Sequence, residues 1–445
     1  MALNTSYRQI WSISAPIMLG SAVQNIITLS DNIFLYHSEA ADFGAIAIVG
    51  VFYLTIAAIG FGFSKGGQII IARRVGEGQP EQAGRTFYAM LYFELALAVV
   101  MFLFMQFGSP YFFAAFVDSE VYYTKCLEYL DYRSYGVFFS YAGVAIVALY
   151  TGIARPMFIF VDTMILAIVN IALNYALIFG HFGLPKMGIA GAGLASTVAE
   201  IVAFIVFVVY ILFDKKIRDY RLFFLPKIDI PLISTQLRLA TPIVAQAVVG
   251  LGSWFVFIIL IENMGDRALD ITNMVRIVYL VLSIPSWGFA TGINTLVSNF
   301  IGQGRRDVVL PIIWKTAKLC WFVTMLVTLP VILAPKYTLY PLFGSEDMSL
   351  IVEAQPIFYV LIVILTLFSI GTVYFNGLAG TGATYYGLQV QIICAVAYLG
   401  YTLLVIKGFR GDLALAWASE ILYWIIMMSF VIPYLKAKKW YGLRV

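Results

Sequence analysis

The stretch "GFSKGGQIIIARRVGEGQ", Gly62 to Gln79, returns later in the chain as "GFATGINTLVSNFIGQGR", Gly288 to Arg305. In this ungapped register Gly62, Gly66, Gly76 and Gly78 fall on Gly288, Gly292, Gly302 and Gly304, 226 positions on. The same offset lays "SAPIMLGSAV", from Ser14, on "ATPIVAQAVV", from Ala240, and aligns Pro16 with Pro242. A third pair, "GIAGAGLAS" from Gly188 and "GDLALAWAS" from Gly411, follows at a slightly shorter spacing. Apolar helices are rich in Gly, so one match alone means little. A register held across two helices and the loop after them points to an internal duplication.

Composition says what kind of unit is duplicated. Hydrophobic residues make up 62% of the 445 residues and charged residues 12%, with a mean hydropathy of +0.90. Soluble domains carry about 25% charged residues, so most of this chain cannot face water. Runs long enough for the ~20 helical residues that cross a bilayer are expected near 10–36, 44–72, 86–108, 121–151, 157–181, 187–213, 231–262, 269–301, 308–334, 348–379, 385–407 and 411–435. The expected fold is an all-α integral membrane protein of twelve transmembrane helices in two parallel six-helix repeats. Residues 1–213 form the first lobe, 214–230 a linker and 231–445 the second lobe.

An even count puts both termini on one side. Of the 28 Lys and Arg residues, 19 flank that side and 6 the other, so both termini are expected in the cytoplasm. Residues 1–36 read as a retained span, because no small-residue cleavage site follows the apolar run. Parallel repeats of this kind are a transporter architecture with the substrate between the halves.

Other classes lose support. Cys126, Cys320 and Cys394 are scattered, and His37 and His181 have no second ligand nearby, so neither a disulfide framework nor a metal site is expected. "GEGQ" and "GQGR" lack the GKS/T context of a nucleotide loop. No cofactor and no enzymatic activity are expected. The basic residues flank membrane spans, which leaves the bilayer and a small-molecule substrate as partners and gives no role to nucleic acid.

The chemistry then rests on polar residues inside the spans. "NIITLSDNIFLYH", Asn25 to His37, carries Asp31 within the first span. A charged residue at the centre of a membrane helix costs roughly 2.5–3.5 kcal/mol on insertion scales. Gln24, Thr28 and Asp31 share one helical stripe with Asn25 beside it. Asp31 therefore faces either the wet outer end of its helix or a cavity between helices. In a cavity, withdrawal from water favours a neutral carboxyl, so a proton can be loaded and unloaded there.

In the fifth span Asn170 and Asn174 lie four apart and share a face, which suits hydrogen bonding to a neighbouring helix as well as a binding pocket. The sixth span adds Ser196, Thr197 and Glu200. Glu200 can share or relay a cation with Asp31, or pair with an Arg as structural glue, and both readings stay open. Lys65 is read as snorkelling to the inner surface. Arg276 lies in the outer half of the eighth span and, if it faces a cavity, favours acidic or zwitterionic substrates. Tyr135, Tyr150 and Trp287 stand on spans expected to line a cavity, where aromatic faces can hold a lipophilic cation.

The chain resembles the multidrug and toxic compound extrusion (MATE) transporters over nearly its whole length. The resemblance is carried by "APIMLGSAVQNIITLSDNIFL", "IARRVGEGQPEQAGR", "NIALNYALIFGHFGLPKMGIAGAGLAST", "IPSWGFATGINTLVSNFIGQG" and "NGLAGTGAT", in that order. It implies a V-shaped pair of six-helix lobes, working as a monomer in the bacterial inner membrane, that exports organic cations against protons or sodium ions. It also implies that Asp31 is the coupling residue, in a pocket completed by Asn170, Asn174 and Ser196. Some relatives have Asp where Asn174 stands. The NorM-like acids of the second half are absent here, near Val249 to Leu251 and near Phe368, which favours a DinF-like, proton-coupled arrangement with sodium as the alternative. A flippase for an amphipathic anion is the competing class, and Arg276 speaks for it.

Overall fold

The computed structural model describes residues 3–224, 226–339, 348–408 and 411–443, and among these it is helical with no strand. Among the described residues eleven helices are long and apolar enough to cross a membrane, or twelve if a pair bent by 57° is taken as one span. The first half holds α1 (Tyr7–Tyr36), α2 (Ala40–Gly76), α3 (Pro80–Leu103), the bent pair α4 (Glu120–Arg133) and α5 (Gly136–Gly152), α6 (Met157–Phe179) and α7 (Gly188–Phe213). The second holds α8 (Ile230–Glu262), α9 (Asp266–Gly302), α10 (Val309–Leu333), α11 (Met348–Gly380), α12 (Thr384–Leu403) and α13 (Ser419–Lys436).

The expected spans coincide with these helices to within a few residues, apart from the third and the last, where a separate short helix, Leu413–Trp417, precedes α13. In the third a π-type turn at Phe104–Gly108 carries α3 on into Ser109–Phe116, so the helix continues past the expected end. Arg410 and Arg444, counted among the flanking charges, lie outside the described residues.

Two compact units emerge: Leu19–Ala240, and Met1–Met18 together with Thr241–Val445. Their boundaries fall inside α1 and α8, beside Pro16 and Pro242. In the first unit α2 packs on α3, α4 and α5, while α7 packs on α4, α5 and α6. The second repeats the scheme, with α9 on α10 and α11, and α13 on α11 and α12.

The duplication is legible at single contacts. Gly78 and Gly304 have φ of +74° and +75°, a conformation that glycine adopts without steric cost. Each ends its helix with the same three backbone bonds: Glu77, Gly78 and Gln79 donate to Arg73, Val75 and Arg74, and Gln303, Gly304 and Arg305 to Asn299, Ile301 and Phe300. A Cβ on Gly66 would lie 2.9 Å from the Gln236 carbonyl oxygen and 2.7 Å from the Cβ of Ala240. Its counterpart Gly292 faces Ser14, the counterpart of Ala240. Between helices in lipid the hydrophobic effect adds little, and such close backbone approach supplies packing and dispersion instead.

The core of the first unit gathers Leu35, Val49, Tyr53, Phe113, Leu130 and Tyr141 from α1, α2, α4, α5 and the continuation of α3. Tyr141 satisfies its hydroxyl by donating to the Ile56 carbonyl at 2.6 Å.

Candidate functional site

Asp31 stands in the C-terminal half of α1, partly buried. The Nδ2 of Asn174 donates to Asp31 Oδ1 at 2.5 Å and to Asn170 Oδ1 at 3.0 Å. Asn170 in turn donates to Ser196 Oγ at 3.1 Å. Four of the residues expected to act together therefore form one hydrogen-bonded chain across α1, α6 and α7. The two Asn residues meet because they are four apart on one helical face, and both are buried. Asn174 Oδ1 has no hydrogen-bond partner among the described residues.

One turn along α7, on the same face as Ser196, Glu200 enters a second group. Arg133 donates to it from both terminal nitrogens, at 2.6 and 2.7 Å. The guanidinium lies 3.8 Å from the centre of the Tyr53 ring, a cation–π contact. Thr197 does not join the Asp31 chain; its hydroxyl donates to the Tyr132 carbonyl at 2.9 Å. Arg133 is delivered by the bend between α4 and α5, where buried Ser134 accepts from Gln106 Nε2 at 2.6 Å. Gly136 follows the bend, and a Cβ there would lie 2.2 Å from Arg133 Nη1 and 2.6 Å from Glu200 Oε2.

The residues proposed to line a cavity are dispersed. Gln24, Asn25 and Thr28 are exposed on α1, and Asn25 and Thr28 bond back to the Ser21 and Gln24 carbonyls of the preceding turn. Tyr135 is half exposed at the bend, its ring 5.1 Å from Phe102. Tyr150 is fully buried and donates to Asp214, which also pairs with Arg155 at 2.7 Å, so it anchors the start of the linker. Trp287 and Arg276 belong to the other unit. Trp287 is half exposed and donates to Ser283, and Arg276 Nε lacks a partner among the described residues.

Sequence reasoning left Arg133 unassigned, although an unpaired intramembrane Arg and an unpaired Glu200 were both visible. It also missed three buried acids, Asp42, Glu94 and Asp162. Glu94 accepts from Ser64 at 2.8 Å, and Asp162 Oδ1 has no partner among the described residues. At the position of the second repeat that corresponds to Asp31 stands Phe257, fully buried among Trp254, Tyr398 and Trp417. The repeat thus keeps its packing while aromatic rings occupy what is a polar chain in the first half. Among the described residues no cluster of His, Cys, Asp and Glu could hold a metal ion.

Comparison with known proteins agrees with this architecture. The chain is 25% identical over 346 residues to the probable multidrug resistance protein NorM of Bradyrhizobium diazoefficiens, covering 77% of this chain and 73% of that one. It is 22% identical over 450 residues to the probable multidrug resistance protein NorM of Thermotoga maritima, covering 97% and 93%. A solved outward-facing conformation of a multidrug resistance MATE family transporter of the MOP superfamily superposes with a TM-score of 0.87 at 18% identity, over 96% of both chains. Residues 16–176 and 242–404, two segments starting at the repeat-related prolines, each match the model of the MatE family. They span most of the sequence, and the chain belongs to that family of membrane transporters.

Proposed function

We propose that this protein is a secondary active antiporter of the bacterial inner membrane, with both termini cytoplasmic, that exports organic and chiefly lipophilic cationic compounds in exchange for protons entering through Asp31. The observation that carries the proposal is the chain Asp31–Asn174–Asn170–Ser196, an acid held inside a membrane helix by amides from a second helix. A carboxylate partly buried within a membrane helix needs a reason, and proton or ion exchange supplies one. The name shared by the relatives, multidrug resistance protein, supports export of organic compounds. The second unit carries Phe257 where the first carries Asp31, which favours coupling through the first half, the DinF-like arrangement.

Coupling requires that proton and substrate prefer different states. Loading Asp31 removes the charge that a cationic substrate would use, so the two compete. The test is transport of a fluorescent lipophilic cation in proteoliposomes under separate proton and sodium gradients, with wild type and Asp31→Asn. Wild type responds to the proton gradient and the variant, while still folded, does not. Retention of proton-driven transport by Asp31→Asn removes Asp31 from the mechanism.

One observation favours sodium as a second reading. Asn174 Oδ1, free of donors among the described residues, and the Asp31 carboxylate are hard oxygen ligands of the kind that alkali and alkaline-earth cations take. Transport that follows the sodium gradient at constant pH selects that reading.

A further inference from the structure

Beside the Asp31 chain lies an ion pair that the proposed exchange does not use. Arg133 is buried, and both terminal nitrogens of its guanidinium are held by Glu200. Glu200 stands one turn along α7 from Ser196, the last member of the Asp31 chain, which places the pair next to that chain. The titratable groups facing this cluster are Asp31 from α1, Tyr53 from α2, Tyr129 and Arg133 from α4, Tyr141 from α5, and Glu200 from α7. From α6 come the neutral amides Asn170 and Asn174.

We infer that Arg133 and Glu200 are positioning residues for the coupling step: Glu200 neutralises Arg133, and the balance between them sets how tightly Asp31 holds its coupling cation. This rests on Asp31 being the coupling carboxylate. In a poorly screened interior a bare guanidinium favours an ionised neighbouring carboxylate and repels any cation approaching it. A carboxylate fixed on the guanidinium by two parallel bonds cancels most of that field. The geometry leaves Arg133 little room to swing away, with Tyr53 against its face and Gly136 leaving only the space of a hydrogen on the far side. Ser196 and Glu200 share one face of α7, so the helix that bonds Asn170 also holds the counter-charge. A shift of α7 would therefore change both together.

The experiment follows the protonated carboxyl band of Asp31 by infrared titration of the purified protein, the band being assigned by its loss in Asp31→Asn. In Glu200→Gln the unmasked Arg133 holds Asp31 ionised, and its midpoint moves to lower pH, by about one unit. In Arg133→Gln the unmasked Glu200 moves it to higher pH. Arg133→Gln/Glu200→Gln and Glu200→Asp both return it to near the wild-type value. A packing defect does not give opposite signs with rescue by the double variant. If either single variant proves unstable, the other still carries the sign. An unmoved midpoint, or movement in one direction for both, overturns the inference. Dye transport by the same preparations separates the two claims. If the midpoints move as expected while transport ignores Asp31, the coupling role fails; if transport depends on Asp31 while the midpoints stay fixed, the role of the pair fails.

Discussion

Asn174 uses both of its amide hydrogens, one on Asp31 and one on Asn170, so it is the residue on which the polar chain turns. Asn174→Ala leaves a carboxylate and an amide oxygen without their donor inside the protein. Each unsatisfied buried group costs about 1–3 kcal/mol. The expected outcome is a lower thermal midpoint in detergent, by fluorescence melting, and weaker gradient-driven export. An unchanged melt with full transport would mean that the amide is a bystander. Asp31 and the Asn170–Asn174 pair stood out in the sequence as polar residues at helical spacing against an apolar background, while their grouping with Ser196 came from the family resemblance. The pairing of Arg133 was not legible. That residue closes "CLEYLDYR" inside the expected span 121–151 and stood out as an intramembrane charge, but its partner Glu200 lies 67 residues away in sequence. Periodicity reports faces within one helix and is silent on which distant helix a face meets.

Helix packing carries predictions of its own. At Gly66 an added methyl meets a backbone carbonyl and another Cβ, neither of which can rotate aside. At Gly292 it meets the end of the Ser14 side chain, which can. Gly66→Ala is therefore expected to destabilise by about 1–3 kcal/mol, the usual cost of overpacking, and Gly292→Ala by less. Gly143, with nothing near its Cβ position, is the control. Gly143→Ala is expected to be neutral or to stabilise by up to ~1 kcal/mol through helix propensity. Melting curves of the three variants decide this, and equal effects at Gly66 and Gly143 would contradict it. The same glycines made the duplication readable, since the repeated stretch preserves the contacts that need them. The bend between α4 and α5 was not readable, because no proline or glycine precedes it. Its cause is tertiary, in Ser134, Gln106 and the Arg133–Glu200 pair.

At the scale of the whole chain, the hydropathy pattern gave the spans and the glycine register the repeat, but neither marked where the compact units divide. Hydropathy marks where a chain leaves the membrane, whereas the units exchange segments inside two continuous helices. The start of α8 packs into the unit Leu19–Ala240, with Gln236 Nε2 donating to the Thr86 carbonyl at 2.7 Å and Ala240 against Gly66. The start of the chain packs into the other unit, with Trp11 6.1 Å from Phe289, Ser14 against Gly292, and Lys315 Nζ donating to the Thr5 carbonyl at 3.2 Å. Each half of the sequence thus places one arm in the unit built mainly by the other half. It follows that continuity of the linker is not what holds the two halves together. A protease site inserted after Phe224 is expected to be cut with both pieces still eluting as one species in mild detergent. By contrast, a second piece that begins at Thr241 and is co-expressed with residues 19–224 leaves neither half an arm in the other unit, and is expected to co-purify poorly. Separation of the cleaved pieces would show that the arms contribute too little packing to join the halves. Equal co-purification with and without both arms would show that other contacts do so.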